Sequence, residues 1–328
     1  MHPNNRTWRV RGIPLEYDEG RLADALQNHA DLQVPDDAAS GDDHDKGRDI
    51  DVYVHTLAPD LRSRGQVATV RFASLPPPLE KLDRKGQLPL EIPNILEAPP
   101  AGAKQQRRKP QTAKITIDDH FLGVTVLYSP PPEDEHHIDV LAVSGLGSHP
   151  FGSFAHKREG NMWLSDSLPQ DWPTARVMIY GYESGLERST SFANLGDLAS
   201  SLRIAIMRLR SESKRRLVLI GHSLGGLLIK EALSQIVESD SGSGALDFVS
   251  GILFFGVPND GMNIESLIPM VNDQPNRFLL ESLNAMNSQI LALQRRNFSK
   301  ILGRTDFDMF CFFETELSPT AAKVGGLA

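Results

Sequence analysis

A single cysteine, Cys311, excludes an internal disulfide and favours a reducing compartment. It lies in the apolar run DMFCFF, where a buried structural thiol is expected. The opening residues, MHPNNRTWRV, lack the basic and apolar regions of a secretory signal, and no apolar run approaches the roughly 18 residues of a membrane span. Composition therefore points to the cytoplasm. Positive charge is also in deficit. A formal net charge of -8 argues against a nucleic-acid partner held through phosphates. There are no internal repeats, and no pattern calls for a cofactor or metal. What the chain does have is length: 328 residues suffice for two domains with cores of their own.

Two low-complexity stretches punctuate it. DDAASGDDHDKGRD (36–49) is acidic and reads as a solvated loop inside a first domain. PPAGAKQQRRKPQ (99–111) mixes Pro, Gly and basic residues and reads as a linker. The expected division is a small α+β domain over 1–98, a linker over 99–112 and a larger domain over 113–328. In the first, TWRVRGIP, EGRLADALQNH, DIDVYVHTL and GQVATVRFA read strand, helix, strand, strand, an order that suggests a ferredoxin-like sandwich. GQVATVRF has the spacing of the central strand of an RNA-recognition module. The positions that would stack bases are Val67, Thr69 and Arg9, which cannot do so, and a packing or docking domain is the better reading.

From residue 113 strands and helices alternate, as in a mostly parallel sheet covered on both faces. KITI, GVTVLY, HIDVLAVSG, ARVMIYGY, RRLVLIG, FVSGILFFGVP and FDMFCFFE are the expected strands. Within them, RRLVLIGHSLGGLLIKEAL (215–233) places a serine between a buried strand and an amphipathic helix. Gly221 and Gly225 flank Ser223 where any Cβ would crowd a tight strand-to-helix turn. Such a turn exposes Ser223 as a nucleophile and aims the Leu224 N–H at the same point, as one half of an oxyanion hole. The second half is expected just past the strand at 137–145, in VSGLGSHPFGSF. There Gly145 and Gly147 permit a tight loop and Leu146 is the favoured donor, with His149 as a positioning residue or an ordinary surface histidine.

HIDVLAVSGLGSHPFGSF, LIGHSLGGLLIKEAL and ILFFGVPNDGM together resemble the lipase-like α/β-hydrolases related to the serine-active-site-containing proteins and the DUF676 putative serine esterases, especially fungal members. The resemblance covers about residues 113 to 318. It implies hydrolysis of esters or lipids, and association with mitochondrial or endoplasmic-reticulum membranes through peripheral contact.

In this fold the acid follows a late strand and the histidine follows the last one. Glu314 is the first candidate acid, with Glu316 and Asp260 as alternatives. The base is missing. The chain has ten histidines, and none lies beyond Ser223. Three explanations stand: a truncated product of a longer enzyme, substitution by His149 or His222, or a non-catalytic relative that binds a ligand or partner. A missing last strand also leaves the Phe-rich strand at 307–314 as an exposed edge, an aggregation liability unless another segment covers it.

Overall fold

The computed structural model describes residues 6–33, 51–83, 85–94, 111–131, 136–156, 161–186, 189–212, 215–239, 244–286, 289–303 and 305–315. The acidic 36–49 stretch and most of 99–111 lie outside them. The chain forms two compact units, one of residues 1–121, 125–129 and 155–171 and one of 122–124, 130–154 and 172–328.

The first unit carries a five-stranded sheet built from β1 (Trp8–Ile13), β2 (Val52–Pro59), β3 (Gln66–Phe72), β4 (Leu88–Pro93) and β5 (Thr112–Asp118), in the order β2-β3-β1-β5-β4. β1 pairs antiparallel with both β3 and β5. Helix α1 (Glu19–Gln27) begins at Asp18, whose side chain accepts from the Arg21 N–H at 2.8 Å, and buries Leu22 and Leu26. The β2-β3-β1 core with α1 between β1 and β2 is the ferredoxin-like arrangement, but its second helix, α2 (Pro77–Glu80), is a single turn.

β5 corrects the expected boundary. The strand read as the start of the second domain completes the first sheet, because its partners are β1 and β4. Val67, Thr69 and Arg9 are all buried, and Arg9 forms a two-point ion pair with Asp118 and donates to Thr125 Oγ1 at 2.9 Å.

The six-stranded sheet comprises β6 (Gly123–Tyr128), β7 (Ile138–Val143), β8 (Ala175–Gly181), β9 (Arg216–His222), β10 (Val249–Phe255) and β11 (Asp308–Phe312), in the order β11-β10-β9-β7-β8-β6. The β7–β8, β7–β9, β9–β10 and β10–β11 pairs are all parallel. Burial follows from that, since parallel strands are covered on both faces: β8 is buried at every position. The second unit also contains α5 (Leu195–Glu212), α6 (Leu224–Ser239), α7 (Arg277–Glu281) and α8 (Gln289–Leu302), with the one-turn helices α3 (Trp163–Asp166) and α4 (Leu168–Asp171) belonging to the first. RFLLESLNAMNSQILALQRRN (277–297), which reads as one long amphipathic stretch, carries two helices, α7 and the first part of α8. Among the described residues no helix is long and apolar enough to cross a membrane.

β11 is the edge, and all five of its residues are exposed. Cys311 is therefore exposed rather than buried. The apolar composition of DMFCFF is that of a covered strand, and among the described residues nothing pairs with its outer side.

Four imidazoles, His55, His120, His136 and His222, share one response to burial: it pulls each pKa below the usual 6.5, with nearby carboxylates opposing. A histidine whose folded pKa is depressed binds fewer protons folded than unfolded, so its stabilisation is complete above about 6.5 and is lost as pH falls from there through the lower folded value. Tm measured at pH 5.5 is expected to lie below that at pH 7.5, and an unchanged Tm would show that these imidazoles are not desolvated.

Candidate active site

β9 delivers the chain to a turn at Ser223 with φ +52°, a left-handed conformation uncommon outside glycine. Such a conformation costs about 1–2 kcal/mol, and two hydrogen bonds hold it. The Ser223 N–H donates to the Phe255 carbonyl at 2.9 Å, and the Ser223 carbonyl accepts from the Gly226 N–H at 3.0 Å. α6 begins at the next residue, so the Leu224 amide belongs to the first turn, where N–H groups have no intrahelical acceptor. The side chain of Ser223 is half-buried at that helix N-terminus.

The turn closes because side chains are absent where backbones meet. A Cβ on Gly221 would stand 2.6 Å from the Gly226 Cα, and one on Gly225 would stand 2.3 Å from the Val143 carbonyl oxygen. The loop after β7 reaches the same point. A Cβ on Gly145 would lie 2.9 Å from Ser223 Cβ and 3.1 Å from His222 Nδ1, so that loop's backbone runs against the nucleophile. Gly147 turns with φ +65° and spends its N–H on the Ser184 carbonyl at 2.7 Å. Leu146 lies between these two glycines, with its carbonyl accepting from Ser148 Oγ at 3.3 Å. Its N–H is the one whose sequence position suits an oxyanion contact.

Tyr182 escaped sequence reasoning. It follows β8, is buried, and donates its hydroxyl to the Ser144 carbonyl at 2.9 Å, fixing the end of β7 from which the loop departs. Burial drives its pKa far above the usual 10, so it remains a donor at any physiological pH. Lys230 escaped as well. It is buried on α6 over the rings of Phe254 and Phe298, with ammonium-to-centroid distances of 4.8 and 5.2 Å, and donates to Asn259 Oδ1. Burial lowers its pKa.

The candidate acids separate. Glu314 follows β11, and its Oε1 comes within 3.5 Å of where a Gly256 Cβ would be. Its charge also acts on His222, raising an imidazole pKa that burial lowers more strongly. Asp260 is ion-paired with Arg295 on α8, with its side chain 81% exposed. Glu316 lies outside the described residues.

His149 is held by its own turn: its Nδ1 accepts from the Gly152 N–H at 3.1 Å and its carbonyl from Ser153 Oγ at 2.9 Å. His222 Nδ1 is buried without a hydrogen-bond partner. Among the described residues no imidazole is bonded to Ser223 Oγ. The arrangement thus brings a strained serine, helix N-terminal amides and a glycine loop together, with a carboxylate at the neighbouring strand end. It can present a nucleophile and receive an oxyanion, and among the described residues no proton acceptor is bonded to the serine.

No family model matches the chain. It is similar to Protein SERAC1 of Homo sapiens, 28% identical over 201 residues that make up 53% of this chain and 29% of that protein. Protein SERAC1 of Mus musculus is 27% identical over 111 residues, 31% of this chain and 16% of that protein. The chain thus matches less than a third of the length of these relatives. Among solved structures it is similar to the Bacillus licheniformis lipase BlEst2 in mature form, at TM-score 0.45 and 13% identity, covering 62% of this chain and 77% of that one. The phospholipase PlaB from Legionella pneumophila gives TM-score 0.38 at 15% identity, covering 49% of this chain and 33% of that one. The α/β fold itself rests on the parallel sheet order and the strand–serine–helix turn.

Proposed function

We propose that the second unit is a serine ester hydrolase of the lipase-like type, acting on carboxylic esters or lipids through an acyl-enzyme at Ser223. The observation that carries this reading is the left-handed φ of +52° at Ser223, held at the N-terminus of α6 against a glycine loop. In the acylation step Ser223 Oγ bonds to the ester carbonyl carbon while the hydroxyl proton passes to a base. The carbonyl oxygen takes the electron pair and is received by the Leu224 and Leu146 N–H groups. The C–O bond then breaks and the leaving alcohol takes the proton back. Glu314 serves as the acid that orients the base. The base is a group that the described residues do not supply.

The test is labelling by a fluorophosphonate. Wild-type protein is expected to label slowly, Ser223→Ala not at all, and millimolar imidazole, offered as a diffusible base, should accelerate the wild type. Labelling that persists in Ser223→Ala would overturn the assignment. A second reading, a non-catalytic ligand-binding relative, is favoured by one observation: among the described residues His222 Nδ1, beside the serine, is buried without a hydrogen-bond partner. It predicts silence with or without imidazole.

A further inference from the structure

Lys230 is a charged group where the packing calls for an apolar one. It follows Gly226 by four residues and Ser223 by seven, so the three positions fall on one side of α6, among neighbours that are buried and apolar. Its side chain is 9% exposed, and its ammonium lies over the Phe254 and Phe298 rings. Among the described residues no carboxylate pairs with it, and the one hydrogen bond the ammonium donates is to Asn259 Oδ1. Burying an ammonium without a counter-charge is costly, and two ring faces and one amide oxygen offset part of that cost. A methionine would fill similar space, touch the same rings and carry no charge to desolvate. Stability therefore does not account for the lysine.

Its hydrogen bond reaches a loop that matters to the site. Asn259 lies just after β10, and its N–H donates to the Val257 carbonyl at 2.9 Å, which closes a tight turn. Gly256 enters that turn with φ +55° and donates its N–H to the Phe312 carbonyl at 2.9 Å. Val257 occupies the space that Gly226 leaves, since a Cβ on Gly226 would stand 2.2 Å from Val257 Cγ2. The residue before the turn, Phe255, supplies the carbonyl that accepts from the Ser223 N–H. Glu314 lies against the same loop, with Oε1 3.5 Å from where a Gly256 Cβ would be. The loop thus touches the nucleophile's backbone at its start and is fastened at two places, to β11 through Gly256 and to the nucleophile's own helix through Lys230.

We propose that Lys230 is a positioning residue of the active site: through Asn259 it clamps the Gly256–Asn259 loop to α6 and so holds the Phe255 carbonyl against the Ser223 N–H. The proposal rests on Ser223 being the nucleophile. A long donor spans the distance from α6 across two aromatic rings to an acceptor on the loop, and its bond is directional where apolar contact is not. The left-handed turn at Ser223 needs that direction, because its N–H bond to Phe255 is one of the two that hold it.

The test pairs labelling with stability in the full chain, with imidazole present. In fluorophosphonate labelling Ser223 Oγ bonds to phosphorus, fluoride leaves with the P–F electron pair, and the serine proton goes to imidazole. Lys230→Met is expected to lower the maximal labelling rate about tenfold with the half-saturating probe concentration unchanged, since a small displacement of the turn acts on the chemical step rather than on probe binding. Its Tm should equal or exceed that of wild type. A merely structural lysine would lower both together, so a Tm that falls with the rate overturns the proposal, as does an unchanged rate. Asn259→Leu should slow labelling by a similar factor, and adding Lys230→Met to it should slow labelling no further; independent effects would mean that the lysine does not act through Asn259. Hydrogen exchange of the amides over 255–261 reads the clamp without the chemistry, and Lys230→Met should accelerate it. If wild type does not label at all, the hydrolase reading fails, and exchange alone then decides the clamp: acceleration in Lys230→Met sustains it and unaltered exchange overturns it.

Discussion

Gly225→Ala is expected to silence Ser223 labelling and to destabilise the fold, and it does so through a single methyl group. The added Cβ would stand 2.3 Å from the Val143 carbonyl oxygen, 2.5 Å from that of Ser144 and 2.8 Å from the Val143 carbonyl carbon. All three are backbone atoms at the end of β7, so no rotamer change relieves the contact. Either α6 withdraws from the sheet or β7 gives way, and both carry parts of the site: the Leu224 amide on one side and the Gly145 loop on the other. Overpacking of this kind costs about 3 kcal/mol, or about 9 °C in Tm for a domain of this size. Displacing the amides by an ångström should lower the labelling rate about 100-fold. The matched control is Gly20→Ala in α1, where the new Cβ meets only Asp18 Oδ1 at 3.6 Å and helix propensity favours alanine. Unfolding curves and labelling rates for both variants decide the matter. A Gly225→Ala protein that labels at the wild-type rate would show that the turn tolerates a side chain, and the steric account of the elbow would fail.

The elbow was legible because its signal is local. A buried strand, two glycines around a serine and an amphipathic helix occupy one short stretch, and each residue type has a steric reason for its position. The strand-to-sheet assignments were not local in the same sense. KITI reads as a strand, and β5 is one, but whether it pairs with β1 or opens the next sheet depends on partners a hundred residues away. DMFCFF likewise reads as a core strand. Its exposure depends on what lies beside it, and composition cannot report that a neighbour is absent from the described residues.

The supporting shell was the least legible part. Tyr182 ends an apolar strand like many tyrosines, and its bond to the Ser144 carbonyl exists only because β7 and β8 are adjacent. Asn276 and Gln274 fall in a polar stretch that reads as an ordinary loop, yet their amides bind carbonyl and N–H groups about ninety residues back in the chain. Glu314 was read as the acid by analogy of strand order, and its Oε1 lies 3.5 Å from where a Gly256 Cβ would be.

Asp118→Ala should destabilise the first unit by about 3–5 kcal/mol, the usual result of stripping a buried ion of its partner. Arg9 and Asp118 are each 1% exposed at the side chain, with Nη2–Oδ2 at 2.8 Å and Nε–Oδ2 at 3.0 Å. Burial already lowers the Arg9 pKa, and the Asp118 charge is the main influence against it. Without that carboxylate the guanidinium loses the charge that acts on it most strongly, and neither Thr125 Oγ1 nor the Phe121 ring, 5.4 Å to the centroid, neutralises a desolvated cation. The aspartate has a second task. Its Oδ1 accepts from the Phe121 N–H at 3.0 Å, steadying a residue held at φ +51° where the chain leaves β5. Asp118→Asn keeps the acceptor and loses the charge, so its cost should fall between wild type and alanine. Arg9→Met combined with Asp118→Leu removes both ions and should recover more than half of the loss, because replacing a buried pair by apolar side chains avoids leaving one ion without its main counter-charge. Urea unfolding of the three variants separates these terms. An Asp118→Ala cost below about 1 kcal/mol would mean that water reaches Arg9.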